Sequence, residues 1–197
     1  LLTAPLMIVV ALLVKLDSPG PVFYGQKRPG RNGRPFVMWK FRTMIPNAVN
    51  SGSGLFTFDG DPRVTGIGRA LRRYRIDEIP QLFNVLTGEM SLVGPRPLLP
   101  DFLDKYSERE KRRLLVKPGM TGWQQVNGAA RNTWEERIAL DLWYVENWTL
   151  WLDVTILLRT VGVVLRADSV YGPDGWQRSG FPEGIGQVAG QIRIEDE

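Results

Sequence analysis

The sequence predicts a mixed α/β fold, mostly helical, with one β-hairpin and an apolar, membrane-inserted start. Three observations carry this expectation. Two β-like runs flank an Asn-Gly turn signal, several later segments carry helix signals, and the first 14 residues hold no charge. At 197 residues the chain is long enough to bury a core of its own.

The uncharged run from Leu1 to Val14 would reach about 21 Å as a helix, short of the roughly 30 Å hydrocarbon core of a bilayer. Pro5 removes a backbone donor, so a kink is expected near Ala4-Pro5. Hydropathy favours a membrane-inserted segment over a buried core helix. A signal peptide fits poorly, because no small-residue cleavage pattern follows and Lys15-Leu16-Asp17 runs into the turn Asp17-Ser18-Pro19-Gly20-Pro21. The first residue is not Met, which suggests a start inside a longer segment.

Strands are expected over 22–26 and 35–41, joined through Arg31-Asn32-Gly33-Arg34. The segment 46–62, rich in Gly, Ser, Asn and Asp, reads as a flexible loop. Helices are expected over 67–75 and from Asp77 to near Gly88, with Gly88 just past the helix end. Residues 91–100 read as a Pro-rich loop, and 101–115 as a charged helix closed by Lys117-Pro118-Gly119. A helix over 133–147 has Thr133 as its cap, with Glu135 and Glu136 suiting the helix dipole. The run 148–166 is apolar apart from Asp153 and Arg159, and the last 30 residues are Gly-rich and irregular. No internal repeat occurs.

Composition narrows the chemistry. With no cysteine there are no disulfides, thiolate nucleophiles or cysteine zinc sites. With no histidine the usual general base and the commonest transition-metal ligand are missing. Catalysis must run on carboxylates, lysine, hydroxyls or a hard cation held by oxygen. The net charge of +4 is unevenly spread: residues 1–117 carry +9 and residues 118–197 carry −5. The basic first part should seek anions.

The centre of interest is Asp77-Glu78, preceded by five arginines between Arg63 and Arg75 and followed by Pro80. With Asp77 as helix cap, both carboxylates sit beside free backbone N–H groups, a place that also suits phosphate oxygens. Adjacent carboxylates repel unless a cation lies between them, and without histidine the obvious one is Mg²⁺. The plain alternative is a helix cap salt-bridged to nearby arginines. Gly94-Pro95-Arg96-Pro97 is a rigid turn presenting one guanidinium, for a phosphate or for a surface ion pair. Lys40 and Arg42 share one strand face, facing phosphate or solvent. Trp143, Trp148 and Trp151 are core packing by default, or an interfacial belt. Apolar Leu82, Phe83, Val85 and Leu86 belong to the core or a membrane face. Aromatics near cations invite a nucleic-acid reading, but no helix-turn-helix, RNA-recognition or zinc signature is present, so no nucleic-acid partner is expected.

The ordered blocks of the chain resemble the bacterial sugar transferases, the monotopic phosphoglycosyl transferases that begin glycoconjugate assembly on polyprenyl phosphate. The blocks are DSPGPVF at 17–23, QKRPGRNGRPF at 26–36, KFRTM at 40–44 and DPRVTGIGRALRRYRIDEIPQLFNVLTGEMSLVGPRPL at 61–98. KPGMTGWQQVNG at 117–128 and LDLWYVENWTLWLDVTIL at 140–157 complete them. The resemblance runs from Leu1 to Val164.

It implies transfer of a sugar 1-phosphate from a UDP-sugar to polyprenyl (undecaprenyl) phosphate, with release of UMP, as the first membrane step of polysaccharide assembly. By motif, Asp77 is similar to the family's nucleophile, which becomes a covalent phosphosugar aspartate, and Glu78 to its Mg²⁺-binding partner, with Asp77 also near the metal. Arg96 would hold phosphate, with Lys40, Arg42 and Arg72 as further candidates. Arg131 matches a position near the nucleotide, and Asp141 a family acid without an assigned role. The resemblance also implies a re-entrant helix over 1–16, entering one leaflet from the cytoplasmic face of the bacterial inner membrane, where Ala4-Pro5 stands for the family's Ser-Pro bend. A catalytic domain over 17–167 with several amphipathic helices on the membrane plane follows. Residues 168–197 have no match.

Overall fold

The computed structural model describes residues 3–54, 57–167 and 171. It is 53% helical, which agrees with the mostly helical expectation. The expected extension over 168–197 lies outside the described residues, apart from Tyr171.

The first helix, α1 (Ala4–Asp17), buries only Val10 and Val14, against Phe41 and Leu71. Pro5 occupies its first turn, where the missing N–H would have had no partner, and the chain before Thr3 that an Ala4-Pro5 bend would redirect lies outside the described residues. No helix among the described residues is long and apolar enough to cross a membrane.

The hairpin pairs β1 (Phe23–Pro29) with β2 (Pro35–Phe41), Phe23 opposite Phe41 and Pro29 opposite Pro35. The first strand runs three residues beyond its expected end. Asn32 and Gly33 take left-handed φ values of 57° and 73°, which is why Asn-Gly serves at this turn. Helix α2 (Gly66–Arg73) is capped by the Thr65 hydroxyl, which accepts from the Gly68 N–H at 3.0 Å. A Cβ at Gly68 would lie 2.2 Å from the Thr43 carbonyl oxygen, so only glycine lets α2 approach this segment so closely.

The helix expected to start at Asp77 is instead split. Arg75 takes a left-handed φ of 58°, ending α2 and redirecting the chain into a 3₁₀ turn, Ile76–Glu78. The α-helix that follows, α3 (Gln81–Leu86), begins only after Pro80. Gly88, with φ 80°, closes it as expected. Helix α3 is inverted: Gln81 and Asn84 are buried, whereas Phe83 and Leu86 are 52% and 83% exposed. Asn84 is the reason. Its Oδ1 accepts from the Trp39 N–H at 3.1 Å and its Nδ2 donates to the Val37 carbonyl and to Glu89 Oε2, both at 2.7 Å. One amide thus satisfies the free edge of β2 and clamps α3 to it. Asn84→Ala leaves those buried groups unpaired and is expected to cost about 2–3 kcal/mol, read by denaturant unfolding.

A second, parallel pair was not foreseen: β3 (Ser91–Val93) lies beside β4 (Gly119–Thr121), in stretches expected as loop and turn. The helix expected over 101–115 is broken into a 3₁₀ segment (Pro100–Lys105), α4 (Glu108–Lys111) and another 3₁₀ turn (Arg112–Leu115). The break allows Tyr106 to enter a core cluster with Leu98, Leu99, Trp134, Ile138 and Leu142. Short α5 (Trp123–Val126) leads to α6 (Trp134–Glu146), whose Thr133–Glu136 capping box matches the expected start. Helix α7 (Leu150–Arg166) buries Ile156 against Val93 and Tyr144. Core packing, the default for the tryptophan cluster, is corrected here: Trp143, Trp148 and Trp151 are 41%, 56% and 76% exposed.

Candidate active site

Strand alternation builds one wall of the site. Tyr24, Gln26 and Arg28 recur every second residue of β1, and Lys40 stands opposite Tyr24 on β2, so all four share the hairpin face turned to a cavity of about 450 Å³. The 3₁₀ turn carries Asp77 and Glu78 into the same cavity, and the segment from Thr43 to Gly54 closes the far side. That segment is less free than its composition suggests. The Arg63 guanidinium donates to the carbonyls of Ala48, Ser51 and Gly54 and pairs with Asp61 at 2.7 Å.

Six cationic side chains (Arg28, Lys40, Arg42, Arg72, Arg75 and Arg96) and two carboxylates line the cavity, which makes it a site for anions. Their partners divide them. Lys40 Nζ donates to Glu78 Oε1 at 2.8 Å, and Arg96 grips both oxygens of Glu78, at 2.6 and 3.3 Å. Burial works against an ionised Glu78, but Arg96 and Lys40 outweigh it and hold the carboxyl well below its usual range. Asp77 has no such clamp. It is 8% exposed, and its carboxylate accepts no hydrogen bond among the described residues. Burial pushes it up to about 6, with Glu78 adding repulsion while Lys40, Arg72 and Arg75 draw it back. Two adjacent carboxylates thus differ sharply: one is locked by cations and one is left unclamped.

Neither end of the Arg96 turn is loose. The Thr121 carbonyl accepts from the Gly94 N–H at 2.9 Å, the Pro95 carbonyl from the Gly119 N–H at 3.0 Å, and the Arg96 carbonyl from Arg113 Nη2 at 2.8 Å. Arg113 is in turn paired with Asp141, and both are buried.

The expected site residues fall into three groups. Asp77, Glu78, Lys40, Arg96 and Arg72 meet at the cavity, with Arg72 Nε donating to Thr43 Oγ1 at 2.9 Å and its Nη1 buried without a partner. Arg42 lines the cavity but is spent elsewhere: it donates to Ser18 Oγ and to the carbonyls of Val14, Ser18, Pro19 and Pro21. This corrects the reading of Arg42 as a phosphate ligand, since the carbonyls at the end of α1 would otherwise lack donors. Arg131 and Asp141 do not line this cavity. Arg131 lies exposed in the turn Ala129–Arg131, and Asp141 pairs with Arg113 behind the Arg96 turn. Sequence reasoning missed Arg28 and Arg75. Alternation along β1 points to Arg28, but no local signal announces the left-handed turn at Arg75.

The donor set can be weighed against Mg²⁺. Among the described residues no three of His, Cys, Asp and Glu cluster, so the carboxylates that a hard cation would find in this cavity are Asp77 and Glu78. That fits the habit of Mg²⁺, which takes one or two carboxylates and completes its shell with phosphate oxygens and water. The unclamped oxygens of Asp77 are the open donors.

Known proteins share this arrangement of sequence. The family described as bacterial sugar transferase matches residues 1–167. The chain is 46% identical over 168 residues to the sugar transferase EpsL of Bacillus subtilis, covering 85% of this chain and 82% of that protein. It is 43% identical over 185 residues to the undecaprenyl-phosphate galactose phosphotransferase of Salmonella typhimurium, covering 87% of this chain but 39% of that protein. A third relative, the UDP-glucose:undecaprenyl-phosphate glucose-1-phosphate transferase of Caulobacter vibrioides, is 45% identical over 179 residues, with 86% and 66% covered. The chain thus spans well under half of the Salmonella relative. A match over residues 1–167, which takes in the hairpin, the Asp77-Glu78 turn and the Arg96 turn, leaves one conclusion: the chain belongs to the bacterial sugar transferase family.

Proposed function

We propose that this chain transfers a sugar 1-phosphate from a UDP-sugar to undecaprenyl phosphate and releases UMP. The observation that carries the reading is an unclamped, buried aspartate in a cation-lined cavity, beside a glutamate already neutralised by Lys40 and Arg96. The Salmonella and Caulobacter relatives are both named for undecaprenyl phosphate, and the Caulobacter relative also for a UDP-sugar donor, which supports the same substrates here.

An Asp77 oxygen attacks the sugar-bearing phosphorus, and the bond from that phosphorus to the bridging oxygen breaks, so UMP departs with the electron pair. The aspartyl phosphosugar is then attacked by an oxygen of undecaprenyl phosphate, which frees the Asp77 carboxylate and forms the diphosphate-linked product. No proton need be removed from an ionised carboxylate or a lipid phosphate, which suits a chain without histidine. Arg96, Lys40 and Arg72 screen the phosphates from the carboxylates and stabilise charge on the leaving group. Mg²⁺, held by Asp77 and Glu78, would supply further charge neutralisation on the diphosphate.

The acceptor is a lipid, and the exposed apolar side chains suit a lipid surface. Leu6, Ile8, Val9, Leu12 and Leu16 on α1, Phe83 and Leu86 on α3, and Leu150, Trp151, Leu158 and Leu165 on α7 are all exposed. On this reading α1 belongs to a re-entrant segment in one leaflet of the inner membrane, with the catalytic residues on the cytoplasmic face and the other helices lying on the membrane plane.

The experiment is a panel of UDP-sugars with undecaprenyl phosphate and Mg²⁺, scored by UMP. Release with one or a few sugars is expected, and no release with any of them would overturn the reading in favour of a lipid-surface scaffold. Intact-protein mass spectrometry with UDP-sugar alone should show one phosphosugar adduct. An unmodified chain under slow turnover would replace the covalent route with direct attack by the lipid phosphate.

A further inference from the structure

The arginines of this chain show what a structural guanidinium looks like. Arg42 spends itself on four carbonyls and a serine hydroxyl, and Arg63 on three carbonyls and an aspartate. Arg28 is built differently. It stands near the end of β1, 8% exposed, on the hairpin face that lines the cavity. Its Nη2 donates to Gln26, two residues away, at 2.8 Å, and its Nη1 reaches the Pro97 carbonyl only at 3.4 Å. Its Nε is buried with no partner. No carboxylate pairs with it among the described residues, and Glu78, which lines the same cavity, is already shared by Lys40 and Arg96.

We propose that Arg28 is a phosphate-binding residue of this cavity, holding a phosphoryl oxygen of a bound substrate alongside Arg96. The proposal rests on the sugar-phosphate transfer reading above. Its physical basis is the cost of a buried cation without a counter-ion, which an incoming phosphate removes. Burial and the neighbouring Arg96 lower the pKa of Arg28 to about 10, the mark of a positive charge short of compensation, although the group stays charged at neutral pH. The unpartnered Nε and the adjacent Nη2, which is held only by the Gln26 side chain, form the edge on which a guanidinium takes phosphate oxygens. Phosphate could come from the nucleotide diphosphate or from the lipid acceptor, and the test separates the two.

UDP binding to the full chain in Mg²⁺ is measured by titration calorimetry, and the KM values for UDP-sugar and undecaprenyl phosphate by UMP release. Arg28→Gln is expected to weaken UDP binding about 10- to 100-fold, and Arg28→Lys to weaken it less, because the charge remains while the fork is lost. A raised KM for undecaprenyl phosphate with unchanged UDP affinity would support the phosphate role and assign it to the lipid. Thermal unfolding without ligand checks that each variant is folded, and Arg28→Lys decides the matter alone if Arg28→Gln does not fold. Unchanged UDP affinity and unchanged KM values in the folded variants would overturn the assignment while leaving the transferase reading intact. A wild-type chain that neither binds UDP nor releases UMP would remove both.

Discussion

Asp77→Asn is expected to lower UMP release about 10³-fold or more and to abolish the phosphosugar adduct, because an amide cannot act as the nucleophile. The same substitution should not weaken the fold. Asp77 is pushed up to about 6 by burial, against an ordinary value of 3.8, so the folded chain holds this proton more tightly than the unfolded chain. Between those two values the folded state binds more protons, and stability therefore falls as pH rises through about 6. Above that pH the ionised carboxylate is a net burden, and the amide should be more stable by about 1–3 kcal/mol in denaturant titration. Below about pH 4 the two chains should match. In the wild type, kcat/KM for the UDP-sugar should rise with pH through an acid limb near 6, where the attacking carboxylate ionises, and the limb should move lower as Mg²⁺ is raised. Full UMP release by Asp77→Asn would end the nucleophile assignment.

The second large effect lies behind the site. Arg113 and Asp141 form a buried ion pair, and Arg113 also donates to the Arg96 carbonyl and to the Tyr106 hydroxyl at 3.2 Å. Removing one partner leaves the other as an uncompensated buried charge, so Arg113→Met is expected to cost about 3–5 kcal/mol. Replacing both, with Arg113→Met and Asp141→Leu together, should recover most of that loss, because no lone charge remains. UMP release should not recover with it. The double variant still lacks the donor that fixes the Arg96 carbonyl, and Arg96 is the group that holds Glu78 in place. Stability read by denaturant and activity read by UMP release should therefore separate. Recovery of both would reduce the pair to a packing role.

Elements that rest on local chemistry were legible in the sequence. The helix over 134–146 is announced by its own capping box, and the hairpin by an Asn-Gly turn between alternating strands. Elements decided by distant partners were not. Helix α3 turns its polar side inward because Asn84 meets the unpaired edge of β2, which lies 45 and 47 residues away in sequence. The expected helix over 101–115 yields to Tyr106, which gains more from the cluster around Trp134 than a continuous helix would return. The left-handed Arg75 swings Asp77 off a helix start and into the cavity, and its side chain carries no sign of that role.

The sequence by itself determined the kind of chemistry available. Without histidine or cysteine, catalysis was left to carboxylates, lysine, hydroxyls or a hard cation held by oxygen, and Asp77-Glu78 stood out beside five arginines. It also determined the hairpin, the capped helices and the excess of positive charge in residues 1–117. Tertiary structure alone decided which charges are still free to act. Lys40 and Arg96 are bound to Glu78, and Arg42 is consumed by the carbonyls around the end of α1. Among the described residues, Arg28 keeps a buried N–H without a partner, and the Asp77 carboxylate has no donor. The physical reason is that a buried polar group must be satisfied by whatever the fold brings within about 3 Å. That neighbour is set by packing across the chain, and spacing along it does not encode the outcome.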